Sequence, residues 1–167
     1  DFDAIIATGS NNTSRYFEYY FGKSPNIIRK NRNSIAVIEG NETPEDFRLL
    51  AEDIFNFFGL GCRSVSKIFI PRDFQLPDLL DHFMHYTHLS NHNTYANNYD
   101  YNRSVYMVNK IPILDTGFLV IKEDESISSP VGCLFYERYS SDEDLENKIK
   151  NLENNIQCIV SRKKIPF

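Results

Sequence analysis

The stretch Phe57-Phe58-Gly59-Leu60-Gly61-Cys62-Arg63-Ser64-Val65-Ser66-Lys67-Ile68-Phe69-Ile70 sets one cysteine on a Gly-x-Gly turn, after an amphipathic helix and before an apolar strand. A thiol held on a tight turn at an element junction can expose its sulfur, and the thiolate is the form that attacks electrophilic carbon. Arg63 places positive charge beside the sulfur and favours that form. The preceding helix turns its negative carboxyl end the same way and opposes it. The plain alternative is a half-buried loop thiol without chemistry. Cys133, within Val131-Gly132-Cys133-Leu134-Phe135-Tyr136, and Cys158, within Ile156-Gln157-Cys158-Ile159-Val160, read as small hydrophobes in buried strands. Three cysteines without metal-type spacing argue against a disulfide framework and for a reducing, cytoplasmic setting.

Thr8-Gly9-Ser10 follows an apolar strand and forms a second candidate. Gly9 would let the backbone approach a ligand, and Ser10 can cap the next helix, whose amino end favours anions. An ordinary strand-to-helix turn explains the same residues. Arg29, Lys30 and Arg32 make a basic cluster, suited to a phosphate-bearing ligand or to a solvated loop. Four histidines, His82, His85, His88 and His92, lie close in sequence. No Glu-containing zinc signature and no nearby cysteine accompany them, so a polar helix face is the preferred reading over a metal site.

Periodicity supplies the frame that must hold these groups. Strands are expected at 4–7, 25–28, 34–38, 65–70, 118–121, 131–137 and 156–161. A helix is expected from Thr13 to Phe21, with Tyr16, Phe17 and Tyr20 among its aromatics. Thr43 caps a second helix, with Pro44 at its first position and Asp46 three residues on. Phe47, Leu50, Ala51, Ile54, Phe57 and Phe58 recur along it, and Gly59 ends it. Leu76, Leu79, Leu80, Phe83 and Met84 share one face of a helix entered at Pro77. Residues 88–104 lack a clean period and read as a loop running into a short helix near 94–108. Ser141 caps a helix at 142–153. Strands alternating with helices imply a three-layer α/β fold, with an open, mostly parallel sheet and helices on both faces.

The 167 residues suit one domain with a sizeable core, 41% of them being hydrophobic. A net charge of −5 gives no electrostatic footprint for nucleic acid. No apolar run is long enough to span a membrane, and no linker composition divides the chain.

Asp3-Ala4-Ile5-Ile6-Ala7-Thr8-Gly9-Ser10, Arg29 to Val37, and Phe58-Gly59-Leu60-Gly61-Cys62-Arg63 resemble, in order and spacing, successive motifs of the LuxC-type acyl-CoA reductases of the aldehyde dehydrogenase superfamily. Asn109-Lys110-Ile111-Pro112, Leu119 to Glu123 and Ser129-Pro130-Val131 are similar to later segments, so the resemblance spans nearly the whole chain. It implies that Cys62 is acylated by a fatty acyl-CoA. The oxyanion would be held by the Cys62 amide and an asparagine, and NADPH would reduce the acyl-enzyme to a fatty aldehyde. Thr8, Gly9 and Ser10 would then touch the cofactor.

Two departures bear on the chemistry. Where aldehyde-oxidising relatives place a water-activating Glu, this chain has Ile28-Arg29-Lys30-Asn31, so acyl transfer is favoured over hydrolysis. The Glu that holds the nicotinamide ribose falls near Ser126, with Asp124 and Glu125 beside it. The family's cofactor domain and oxyanion asparagine would precede Thr8, and the chain opens at Asp1. Residues 1–167 are therefore expected to be the nucleophile-bearing domain of a two-domain enzyme, inactive and weak toward NADPH by itself. The implied partners are acyl-CoA and either a homo-oligomer or an acyl-transferring protein. An acyl-phosphate reductase of the glutamyl-phosphate type, kept open by Arg29–Arg32, and a non-catalytic binding or assembly module are the alternatives.

Overall fold

The computed structural model describes residues 2–9 and 11–165, which form two compact units, Asp1–Arg32 and Asn33–Phe167. The boundary falls at the basic Arg29–Arg32 stretch. In the first unit, β1 (Ile5–Thr8) and β2 (Asn26–Arg29) pair in parallel, with Ile5 opposite Asn26 and Thr8 opposite Arg29. The connecting helix α1 (Asn11–Phe21) stops where a Cβ on Gly22 would lie 2.5 Å from the Glu18 carbonyl. Tyr16, Tyr19 and Tyr20 on this helix are exposed.

The second unit is built on a six-stranded sheet. Its strands are β3 (Asn33–Val37), β4 (Val65–Pro71), β5 (Leu114–Asp115), β6 (Val120–Glu123), β7 (Cys133–Tyr139) and β8 (Ile156–Val160). They lie in the order β5-β6-β7-β4-β3-β8, and only the short β5 runs antiparallel. Period-two alternation gives the sheet two apolar faces. Ala36, Ile38, Ile68, Ile70 and Leu134 face α2 (Pro44–Phe55), α3 (Leu76–Phe83) and α4 (Asn93–Val108). Ile35, Val37 and Phe69 face α5 (Asp142–Leu152) through Leu145 and Ile149. This is the expected three-layer α/β arrangement.

Helix α2 starts where the sequence places it. Thr43 Oγ1 accepts from the Asp46 amide at 3.3 Å, and the Asp46 carboxylate accepts from the Thr43 amide at 2.8 Å. Aspartate thus completes a reciprocal cap usually made by Glu or Gln, and losing such a cap costs about 1 kcal/mol.

Several expectations are corrected. Helix α2 does not continue through Phe57 and Phe58: it ends at Phe55, which is buried, and a 3₁₀ turn covers Asn56–Gly59. Within that turn Phe57 has φ +56° and Phe58 φ +59°, left-handed values that no right-handed helix contains. Met84 lies past α3 and is exposed. Helix α4 is 16 residues long rather than short. Only Tyr95 and Tyr99 of it are buried, which is why it shows no apolar period. Strand β6 begins at Val120, two residues late, because Phe118 and Leu119 belong to the turn that hairpins back from β5.

Candidate active site

Cys62 is exposed and sits on the turn Gly61–Ser64, closed by the Ser64 amide donating to the Gly61 carbonyl at 2.9 Å. Glycine is demanded at Gly59, where φ is +72° after two left-handed phenylalanines. Three successive left-handed residues reverse the chain between α2 and β4 and lift residues 60–63 into solvent. They also separate the sulfur from the carboxyl end of α2, whose field fades within its last turn.

Two hydroxyls anchor the turn from below. The fully buried Ser34 on β3 donates to the Cys62 carbonyl at 2.9 Å, and Ser64 donates to the Asn56 carbonyl at 3.4 Å. With its carbonyl drawn inward, Cys62 presents its side chain outward. Among the described residues, the Cys62 amide donates to no acceptor. An unpaired amide beside a nucleophilic sulfur is the donor that a tetrahedral oxyanion requires.

The position in the sheet is unusual. Open α/β sheets ordinarily bind ligands beyond the carboxyl ends of their strands. Cys62 instead precedes β4, level with the amino ends of β3 and β7. There the crossover 124–132, which joins β6 to β7 without a helix, is fastened by β4. Ser66 donates to the Ile127 carbonyl at 2.7 Å and Lys67 to the Glu125 carbonyl at 2.8 Å. Non-helical backbone entering a core needs such partners, because buried carbonyls must be satisfied. Gly132, at the end of that crossover, has φ +78° and lies so close to α4 that a Cβ would meet Tyr99 Cα at 2.8 Å.

The other cysteines differ from one another. Cys133 is buried, and burial pushes its thiol up to about 12, so it stays protonated at neutral pH. Cys158 is not the buried hydrophobe expected from its strand: it is half-buried, with Sγ 2.8 Å from Ser34 Oγ. That contact was invisible in sequence, since Ser34 and Cys158 lie at distant positions and only the β3–β8 pairing joins them.

Thr8 and Gly9 belong to the first unit. Thr8 is exposed at the end of β1, and a Cβ on Gly9 would meet Thr13 Cγ2 at 3.0 Å. The space beside Gly9 is thus filled by Thr13, a local reason for the glycine. Ser10 lies outside the described residues. Lys30 pairs with Glu18 at 3.1 Å, and both are exposed. Asp124 is occupied by Lys122 and the Ser126 amide, which leaves Glu125 as the carboxylate exposed at this corner. His82 packs against Phe47 and His92 against Phe58 with tilted rings, their centroids 5.3 and 4.4 Å apart. Among the described residues no three His, Cys, Asp or Glu side chains form a group able to hold a metal ion. No helix among them is long and apolar enough to cross a membrane. Asn56, Phe57, Phe58, Tyr86, His88 and His92 line an open cleft of about 460 Å³ alongside the 3₁₀ turn that leads to Cys62.

An α/β domain of this topology, with a cysteine on the turn entering a central strand, has the aldehyde dehydrogenase fold. The P. syringae indole-3-acetaldehyde dehydrogenase AldA, a mutant solved with NAD+ and IAA, matches with a TM-score of 0.64 and 9% identity, over 99% of this chain and 45% of that one. The Mycobacterium tuberculosis aldehyde dehydrogenase complexed with NAD+ matches with a TM-score of 0.67 and 9% identity, over 98% and 46%. Betaine aldehyde dehydrogenase from Staphylococcus aureus, in complex with NAD+, gives 0.64 and 9%, over 99% and 44%. The chain therefore spans somewhat less than half the length of these structures. No protein-family model and no curated protein sequence matches it.

Proposed function

We propose that this chain carries the acyl-accepting cysteine of an oxidoreductase of the aldehyde dehydrogenase superfamily, an NADPH-dependent reductase of fatty acyl-CoA. The observation that carries the reading is Cys62: an exposed sulfur on the crown of a turn, with its own amide unpaired and its carbonyl tied inward by Ser34. The dehydrogenase fold and its NAD+-bound examples support nicotinamide chemistry.

In this reading Cys62 Sγ attacks the thioester carbon and the carbonyl oxygen becomes an oxyanion that the Cys62 amide can bind. The carbon–sulfur bond to coenzyme A then breaks, and the departing thiolate takes a proton from water. One thioester replaces another, so the step is close to thermoneutral. The resemblance puts Ile28-Arg29-Lys30-Asn31, without a carboxylate, where aldehyde-oxidising relatives carry a water-activating Glu, and on that reading acyl transfer is favoured over hydrolysis. The aromatic cleft beside Phe57 and Phe58 offers apolar surface to the acyl group.

When bound, NADPH would supply the hydride. On the resemblance Thr8 and Gly9 would lie against it, with the Cβ direction of Gly9 turned toward Thr13. The chemistry these residues supply ends at the acyl-enzyme. For the acyl-phosphate alternative, the pairing of Lys30 with Glu18 already offsets part of the Arg29–Arg32 charge.

The test is release of coenzyme A from a long-chain acyl-CoA. The expected result is a burst of one equivalent per chain followed by a slow phase, absent in Cys62→Ser. Continuous hydrolysis, or a burst that survives the substitution, would overturn the assignment.

A further inference from the structure

Ser34 touches both the candidate nucleophile and a second cysteine. Its hydroxyl carries a single proton, which goes to the Cys62 carbonyl at 2.9 Å. At 2.8 Å from Cys158 Sγ the serine oxygen is therefore the acceptor, and the Cys158 thiol donates to it. One buried oxygen thus links the turn that holds the exposed thiol to the half-buried thiol on β8. The third cysteine, Cys133, is buried on β7.

We propose that Cys158 is a resolving thiol for Cys62, so that hydroperoxides convert the pair into a reversible intramolecular disulfide that closes the acyl-accepting site. The inference rests on the assignment of Cys62 as a reactive nucleophile. In the first step the Cys62 thiolate attacks the distal oxygen of a hydroperoxide. The O–O bond breaks, an alcohol or water leaves with a proton, and the sulfur is oxidised to sulfenic acid. In the second step Cys158 sulfur attacks Cys62 sulfur. The S–O bond breaks, hydroxide leaves with the thiol proton as water, and two thiols have lost two electrons to one peroxide.

A disulfide needs its Cα atoms within about 7 Å, and the exposed Cys62 side chain must turn inward toward β8 as the bond closes. The structure permits this. Residues 60–63 are all exposed, and the hydrogen bond from Ser34 to the Cys62 carbonyl is what ties the crown of the turn to the sheet. The separate bond that Cys158 donates to the same oxygen keeps the second thiol beside that anchor point. A sulfenic acid without a neighbouring thiol continues to sulfinic acid and is lost. With Cys158 beneath the turn, the oxidation stops at a state that a dithiol reverses.

The experiment treats the protein with a small excess of hydrogen peroxide at neutral pH and maps its peptides without reduction. A Cys62–Cys158 linked peptide is expected, with loss of iodoacetamide labelling at Cys62 that dithiothreitol restores. In Cys158→Ser the same peroxide should convert Cys62 to sulfinic acid, and dithiothreitol should not restore labelling. Sulfinic acid formed equally in both proteins, or Cys62 linked only between two molecules, would overturn the proposal. If Cys62 resists iodoacetamide before any peroxide is added, it is the nucleophile assignment that fails. Ready labelling without a linked peptide refutes the resolving role alone.

Discussion

The Lys67 ammonium lies wholly inside the protein and donates to the Glu137 carboxylate at 2.5 Å, across neighbouring strands β4 and β7. The other carboxylate oxygen accepts a hydrogen bond from Lys148 on α5, and Lys67 also donates to the Glu125 carbonyl. One buried charge therefore joins the central strands, a helix and the crossover behind the candidate site. Truncating a buried ion pair on one side leaves uncompensated groups and costs about 3–5 kcal/mol. Lys67→Ala should lose that much in urea unfolding, and Lys67→Met clearly less, because its stem fills the same space. Equal losses would show that the lost charge accounts for the whole effect and that the stem contributes no packing.

Acid should weaken the same corner. Burial pushes the Glu137 carboxyl up, but hydrogen bonds from Lys148 and Lys67 outweigh it and hold the group below the ordinary glutamate value of 4.5. At Asp124 burial is likewise overcome, chiefly by the Lys122 hydrogen bond, and the carboxyl falls to about 2. A carboxylate held lower in the folded state contributes stability that is complete above its unfolded value and disappears as pH falls through its folded one. Stability should therefore decline from about pH 4.5 toward about 2. Glu137→Gln should flatten the upper part of that decline and Asp124→Asn the lower. Acid melting curves that keep the parent slope in both variants would contradict this.

Phe57 and Phe58 share left-handed backbones but not surroundings. The Phe57 ring is 82% exposed, whereas Phe58 packs against His92. The left-handed conformation costs a non-glycine residue roughly 1–2 kcal/mol, and the added freedom of glycine in the unfolded chain takes back about 0.5–1. Phe57→Gly should leave thermal stability unchanged or raised by up to about 1.5 kcal/mol. Phe58→Gly should lower it through lost packing. Equal destabilisation by the two would show that the Phe57 ring is bound to something after all.

Local chemistry was legible in the sequence and distant pairing was not. Thr43, Pro44 and Asp46 announce the start of α2 because all three act within one turn. The alternating faces of β3 and β4 specify a buried parallel sheet for the same reason. Phe57 and Phe58 mislead because they continue an apolar period while the backbone has already reversed. Nothing local to Lys67 marks it as a core residue, because the partner that lets it be buried, Glu137, lies far along the chain. Cys158 looks like strand filler until β8 pairs with β3 and sets it against Ser34. The turn around Cys62 was visible from its glycines; the hydroxyl that ties it down was not.

What remains is whether the sulfur held out by the Gly61–Ser64 turn accepts an acyl group. Intact-mass measurement after exposure to a long-chain acyl-CoA answers this most directly. A single acyl adduct, mapped to the Cys62 peptide and missing in Cys62→Ser, is the predicted result. An unmodified chain, or an adduct that persists once Cys62 is replaced, would contradict it.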